Sequence, residues 1–277
     1  MVSIILHIDY YSTGQPLYLS LTNLEFDYII LKCLTFFELG RSISTQDLIY
    51  MGNTANEIAC KTQNEILSKQ KPGLKDILIL NIYSGVIWWS DLEVQKQFND
   101  NPKKIIMDLE TKLLNLAKQD LSIDDFHEFI NEILNVNSST QIIYFPDDNG
   151  EFVWDLLFMH NIIKTNKNIN FVCVVHDDPI SNTANYSTLS YLFENNKDCY
   201  IEELKNESRF KVLREVNKIT AFDPRFMSEN LIQEIQTSNM VISKGASNFE
   251  KLQYVPIPIY YLFTVYSKIS TILTGLK

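Results

Sequence analysis

Residues 142–158, IIYFPDDNGEFVWDLLF, constrain this chain more than any other stretch. Ile142, Ile143, Tyr144 and Phe145 form a short β-type run, which Pro146 ends because proline cannot donate to a sheet ladder. Asp147, Asp148, Asn149 and Gly150 follow as a turn-prone cluster. From Glu151 the pattern becomes helical, with Phe152, Leu156 and Met159 on one face. This is a strand, an acidic loop and a helix start. In open α/β sheets ligands bind at that place, beyond the carboxyl ends of the strands.

Two carboxylates beside a helix N-terminus form an electrostatic conflict. The helix end attracts negative charge, whereas Asp147 and Asp148 repel it. A hard divalent cation resolves the conflict, because carboxylate oxygens hold the ion and the ion holds a phosphate. The plainer alternative is that Asp147 caps the helix and Asp148 is solvated. The stretch alone leaves both open.

The remainder of the second half alternates short strands and helices. Phe171 to Val175 is a β-rich run closing in His176, Asp177, Asp178 and Pro179, and a helical pattern covers Ser187 to Phe193. Residues 200–219 read as helical and charged, and Ile219 to Phe222 as a short strand before Asp223-Pro224. Residues 228–237 suit a helix, and Met240-Val241-Ile242 a strand leading into Ser243-Lys244-Gly245. Such alternation predicts a parallel sheet with helices on both faces. It would bring three polar strand ends to one edge: Asp147/Asp148, Asp177 to Asn182, and Lys244/Gly245.

The first half reads as mainly helical. Residues 1–20 suit a short strand or an extended arm. Leu24, Tyr28, Leu31 and Leu34 lie at helical spacing. Ser44 or Thr45 caps a helix running through Ile49, and Thr54 to Lys69 is another, ended by Lys71-Pro72-Gly73. Residues 74–98 suit a buried helix. Residues 104–135 give two more, the second capped within Ser122 to Asp125. The polar run from Asn135 to Thr140 marks a boundary, so the expected organisation is a helical N-terminal domain, 1–136, and an α/β domain, 137–277.

Composition narrows the partners. A net charge of −10 argues against a nucleic-acid binder, which needs a basic face. Cys33, Cys60, Cys173 and Cys199 have no CxxC or zinc spacing and read as reduced thiols of a cytoplasmic protein. The opening MVSIILHIDYYSTG lacks the basic segment and apolar length of a signal peptide. Residues 255–276 are apolar, but Pro256, Pro258 and Lys268 interrupt them, which favours a strand and then a packed helix over a membrane anchor. His176 reads as a loop hydrogen-bond donor rather than a ligand.

Three segments together carry a resemblance. PDDNGEFVWD is similar to the DNAGE…D signature of the damage-control phosphatases, once called domain of unknown function 89. VVHDDPISNTAN resembles that family's second loop, a proline followed by Asn-Asp, and VISKGASNFEKL its third, KG followed by Asn, an aromatic and Glu. The match covers 142–252 in order and extends more weakly over the first half. It implies a helical N-terminal domain joined to a Rossmann-like three-layer α/β/α domain with a mainly parallel sheet. It also implies metal-dependent hydrolysis of a small phosphorylated metabolite, such as a sugar phosphate or a phosphopantetheine-like compound. A divalent ion (manganese, cobalt, nickel or magnesium) would serve, with no nucleic acid or membrane involved.

Carried over by position, the resemblance implies Asp147, Asp148 and Lys244 as catalytic residues. Gly150, Glu151, Lys244, Gly245 and Asn248 would meet substrate, and Asp147, Asp148, Asn182 and Thr183 the metal. Asp155 also falls on a matching position. Asp148 replaces the family's Asn; a one-residue shift would instead pair Asp148 with Asn149, against the Gly150 to Asp155 spacing. Thr183 stands where the family has a metal-binding Asp, and a neutral hydroxyl binds a hard cation less well than a carboxylate. In YSGVIWWS, Ser84, Gly85 and Trp88 appear where Gly, Asn and Asp are expected, while Trp89 survives. Two other readings stand beside hydrolysis. One is a degenerate member that binds a metabolite or a protein without turnover. The other is a Rossmann-like transferase, disfavoured because no GxGxxG loop follows a strand.

Overall fold

A computed structural model describes residues 2–8 (backbone only), 43–196, 198–216, 219, 221–253, 255–265 and 274. Its framework is a sheet of strands β1 (Val2–Ile8), β2 (Ile123–Asp124), β3 (Thr140–Phe145), β4 (Ile169–His176), β5 (Phe210–Glu215), β6 (Met240–Lys244) and β7 (Ile259–Val265), in the order β2-β1-β7-β6-β3-β4-β5. The pairs β7/β6, β6/β3, β3/β4 and β4/β5 are parallel, and β1 runs antiparallel to β7. The fold is therefore α/β with a mainly parallel sheet. The middle of the five-stranded parallel part is β3, whose Phe145 is in register with Ser243 of β6.

Alternate residues of β3 enter different cores, as a strand's period of two requires. Ile142 and Tyr144 pack with Ile58, Ile82, Trp89 and Phe158. Ile143 and Phe145 pack with Phe222, Leu231 and Phe249 on the opposite face. The first core joins the helical layer of the first half to helix α6 (Glu151–Thr165). The second lies under α9 (Glu229–Thr237) and α10 (Ala246–Leu252).

Ahead of the site run α1 (Thr45–Lys69), α2 (Leu74–Ser84), α3 (Leu92–Asp100), α4 (Pro102–Leu116) and α5 (Phe126–Leu134). Ser44 caps α1: the Asp47 amide donates to Ser44 Oγ at 3.2 Å, and the Ser44 amide donates to Asp47 Oδ2 at 2.8 Å. The two helices expected in 44–69 are one. Gly52, the apparent weak point, is kept because a Cβ there would come within 2.8 Å of Asn149 and Thr188.

Other expectations are corrected. Residues 74–98 do not form one buried helix; α2 stops at Gly85, and tight turns carry the chain to Asp91, which caps α3. Residues Ile123–Asp124 form β2, parallel to β1, rather than the start of a helix. The helical reading of 200–219 splits into α8 (Cys199–Asn206) and β5, with α7 (Tyr186–Asn195) preceding them. No strand is formed by the described residues of 219–222. The spacing at Leu24 to Leu34 and the helix expected after β7 lie outside the described residues. Among those described, no helix is long and apolar enough to cross a membrane.

Candidate functional site

The carboxyl ends of β3, β4 and β6 open into one cleft of about 500 Å³. Asp147, Asp148, Glu151, Asn182, Lys244 and Gly245 line it together, with the α2–α3 turn and the start of α1 opposite. The parallel register dictates this meeting, since these strands all end at the same edge.

Backbone hydrogen bonds zip the first two loops together. Asn149 donates its amide to Asn182 O, and Ala184 donates to Asp147 O, both at 2.8 Å. The Asn149 side chain is consumed within the fold. Its Nδ2 donates to Asn182 O and Thr183 O at 2.9 and 2.8 Å, and its Oδ1 accepts from Thr188 Oγ1 at 2.7 Å and Asn56 Nδ2 at 3.3 Å. This geometry leaves the Asn149 side chain no unpaired polar atom.

Two glycines make the close approaches possible. Gly150 has φ 90° and Gly245 φ 89°, backbone that L side chains rarely adopt. A Cβ on Gly150 would overlap Trp89, and one on Gly245 would overlap the Asp147 carboxylate. The Gly150 amide, at the start of α6, donates to Asn56 Oδ1 at 2.6 Å. In the second loop Ser181 takes φ 54°, a left-handed conformation uncommon for serine.

Beneath the cleft lies a buried charge network. Lys244 Nζ contacts Glu151 Oε2 at 2.7 Å and Asp155 Oδ1 at 3.1 Å, and donates to Ser84 Oγ at 3.4 Å. Asp155 Oδ1 also accepts from Asn81 Nδ2 at 2.6 Å and Tyr144 Oη at 2.8 Å. Burial works against the Lys244 charge, but Asp155 and Glu151 outweigh it and hold the ammonium above its ordinary pKa.

Negative charge is in excess. Low-dielectric surroundings, then the neighbouring Asp148 and Glu151, drive the half-buried Asp147 well above the usual carboxylate range, against the pull of Lys244. Desolvation and then Glu151 push Asp148 up to about 7, although an Asn182 hydrogen bond and Lys244 oppose this. Burial likewise raises Glu151. In addition, Asn182 Oδ1 is buried without a hydrogen-bond partner. Among the described residues, no three His, Cys, Asp or Glu side chains are grouped to hold a metal ion. Two carboxylates and one amide oxygen nevertheless fit a hard cation that completes its shell with water and phosphate oxygens.

Three expected site residues do not reach the cleft. Thr183 is buried, and its hydroxyl donates to Ile180 O at 2.7 Å, closing its own loop. Asn248 donates to Pro146 O and Lys244 O and accepts from the Phe222 amide, so it fastens the β3 and β6 ends from behind. Gly150 packs on Trp89. The reading of sequence assigned no role to Asn56, Asn81 or Asp155. Asp155 has a local signal, because it lies four residues after Glu151 on the same helical face. Asn56 and Asn81 have none, since their partners are distant in the chain. His176 is buried and stacks on Phe222 at 4.5 Å, away from the cleft lining.

Comparison with known proteins bears on family and fold. A family profile described as Damage-control phosphatase ARMT1-like domain matches residues 52–275. The protein MJ0202 of Methanocaldococcus jannaschii is 28% identical over 160 residues, 56% of this chain and 48% of that protein. The chain thus spans about half of that relative's length. Damage-control phosphatase PH1575 of Pyrococcus horikoshii is 25% identical over 226 residues, 80% of this chain and 68% of the relative. The crystal structure of a DUF89 family protein from the same organism superposes with a TM-score of 0.67 at 18% identity, covering 92% of this chain and 87% of that one. At that identity the likeness is one of fold. With the family profile matching most of its length, the chain belongs to the damage-control phosphatase ARMT1-like domain family.

Proposed function

We propose that this protein is a metal-dependent phosphatase acting on a small phosphorylated metabolite. The observation that carries this reading is the mismatch of charge in one cleft. Asp147, Asp148 and Asn182 line the same space as the paired Lys244, and Asn182 Oδ1 has no hydrogen-bond partner.

Asp147, Asp148 and Asn182 Oδ1 would hold manganese, cobalt, nickel or magnesium. Such an ion supplies Lewis-acid stabilisation of phosphoryl oxygens and a bound water of lowered pKa. Lys244 keeps a positive charge at the cleft floor, fixed by Glu151 and Asp155, where it neutralises a phosphate monoester. Glu151 holds the ammonium in place, Oε2 to Nζ at 2.7 Å. In the reaction a water oxygen bonds to phosphorus as the ester P–O bond breaks. One water proton goes to the departing alkoxide, so alcohol and inorganic phosphate leave. The net charge of −10 supports a small substrate over a nucleic acid, and the buried free thiols Cys60 and Cys173 support a reducing, cytoplasmic setting.

The test is hydrolysis of p-nitrophenyl phosphate with and without added manganese, for wild type and Asp147→Ala. The expected result is metal-stimulated turnover that Asp147→Ala abolishes. Turnover that persists in Asp147→Ala removes this residue from the reaction. A second reading, binding without turnover, is favoured by Thr183, whose hydroxyl is turned into its loop. It predicts manganese and phosphate binding by calorimetry with no hydrolysis.

A further inference from the structure

One wall of the cleft has a chemistry that the acidic loops do not explain. Leu48, Met51, Ile82, Ile87 and Trp88 line it from α1, α2 and the turn that follows. Apart from the indole N–H and the nearby Ser90, this wall has no side-chain hydrogen-bonding group. Leu48, Met51, Ile82 and Ile87 are buried, whereas Trp88 is 73% exposed. The exposed indole continues the buried apolar wall to the rim of the pocket, where its flat face is free to meet a ligand.

The backbone that carries the indole is tied down. Gly85, Val86 and Ile87 donate to Ile82 O, Tyr83 O and Ser84 O at 3.0 to 3.2 Å, and Asp91 donates to Trp88 O at 3.1 Å. The adjacent Trp89 is 1% exposed, with its Nε1 donating to Ser84 O at 3.0 Å. Trp88 is thus presented by a turn anchored on both sides, which lowers the entropic cost of stacking a ligand on it. Gly85 on the same turn contributes no side chain, and a Cβ there would lie 2.8 Å from Glu151 Oε2.

We infer that Trp88 is the specificity-determining residue of the cleft, and that the substrate is a phosphate monoester whose alcohol part is aromatic or heteroaromatic. This rests on the phosphatase reading for the anionic end only. The hydroxyls of a sugar phosphate would lose water against this wall and find few partners, a cost that selects against polyols. A planar ring stacks on the indole and loses nothing. The cleft volume of about 500 Å³ suits a single ring system plus phosphate.

The experiment is calorimetric titration of manganese-loaded protein with benzylphosphonate and methylphosphonate, which cannot be hydrolysed at an ester bond. Wild type should bind the benzyl compound about tenfold more tightly, the scale of one aromatic stack. Trp88→Ala should bring the two affinities together, and Trp88→Phe should keep most of the difference. Equal affinities in wild type, or a preference that survives Trp88→Ala, overturn the inference. A preference without any turnover of p-nitrophenyl phosphate overturns the hydrolase reading and leaves this one standing. Turnover with equal phosphonate affinities does the reverse.

Discussion

Lys244 at the cleft floor meets Asp155 beneath it, Nζ to Oδ1 at 3.1 Å, with both side chains enclosed. Glu151 completes the arrangement from one turn earlier on α6. A pair so enclosed contributes little by existing, because desolvation offsets most of its attraction. Removing one partner, however, strands the other. Lys244→Met should therefore lose about 3–5 kcal/mol in urea denaturation at pH 8. The deficit should shrink as pH falls, because burial raises the Glu151 pKa and eases its protonation. Equal stability of variant and wild type at pH 8 would show that the network does not carry this charge.

Asp148 gives the metal-free protein a pH dependence of definite sign. Its folded pKa lies at about 7, above the ordinary value of 3.8. The folded state is thus not penalised below pH 3.8, and stability is lost as pH rises toward 7. Asp148→Asn should remove that loss and raise metal-free stability at pH 8. The gain is on the order of 2 kcal/mol once solvent access to this half-buried group is allowed for. The same substitution should reduce the thermal shift produced by manganese. A larger shift in the variant would exclude Asp148 as a ligand.

His176 works in the opposite direction. Burial lowers it from 6.5 to about 4, so the folded state keeps it neutral. Its contribution is present above pH 6.5 and lost as pH falls toward 4. His176→Phe preserves an aromatic ring against Phe222 and removes the titration. The variant should lose less stability than wild type between pH 6.5 and 4, by about 3 kcal/mol. Parallel denaturation curves across that range would reject the assignment.

The two-glycine geometry predicts a contrast. Gly150→Ala adds a Cβ at φ 90° that overlaps Trp89, at a cost of about 3 kcal/mol or more from strain and overpacking. Gly73→Ala meets only an ordinary contact, 3.5 Å from Asp76 Oδ2, and its φ of −72° suits any residue. It should change stability little. Thermal denaturation of both variants checks this. A mild Gly150→Ala would mean that the turn holding Trp89 is soft.

The centre of the fold was legible because its signals are local. A β-branched run, Pro146 and the Asp-Asp-Asn-Gly cluster announce β3 and its loop within ten or so residues. The meeting of three loops then follows from parallel strands. Signals failed where tertiary context overrode them. Edge strand β5 carries Lys211 and Arg214, which blended with the charged α8 before it. Helix α1 runs through Gly52 because the β3 loop packs against it. Thr183 and Asn248 lie at matching positions, but the direction of a side chain depends on partners 3 to 102 residues away. Asn56 and Asn81 act through bonds spanning 94 and 74 residues, beyond any periodic pattern.

Asn56 has a mechanical consequence. Its Oδ1 takes the Gly150 amide while its Nδ2 donates to Asn149, and Gly52, a turn earlier on α1, abuts Asn149 directly. The long helix and the acidic loop are therefore bolted together at two levels. Swinging the helical layer outward would drag the carboxylates with it and dismantle the site. Traffic through the cleft has to pass a fixed doorway, and the exposed indole of Trp88 stands at its threshold.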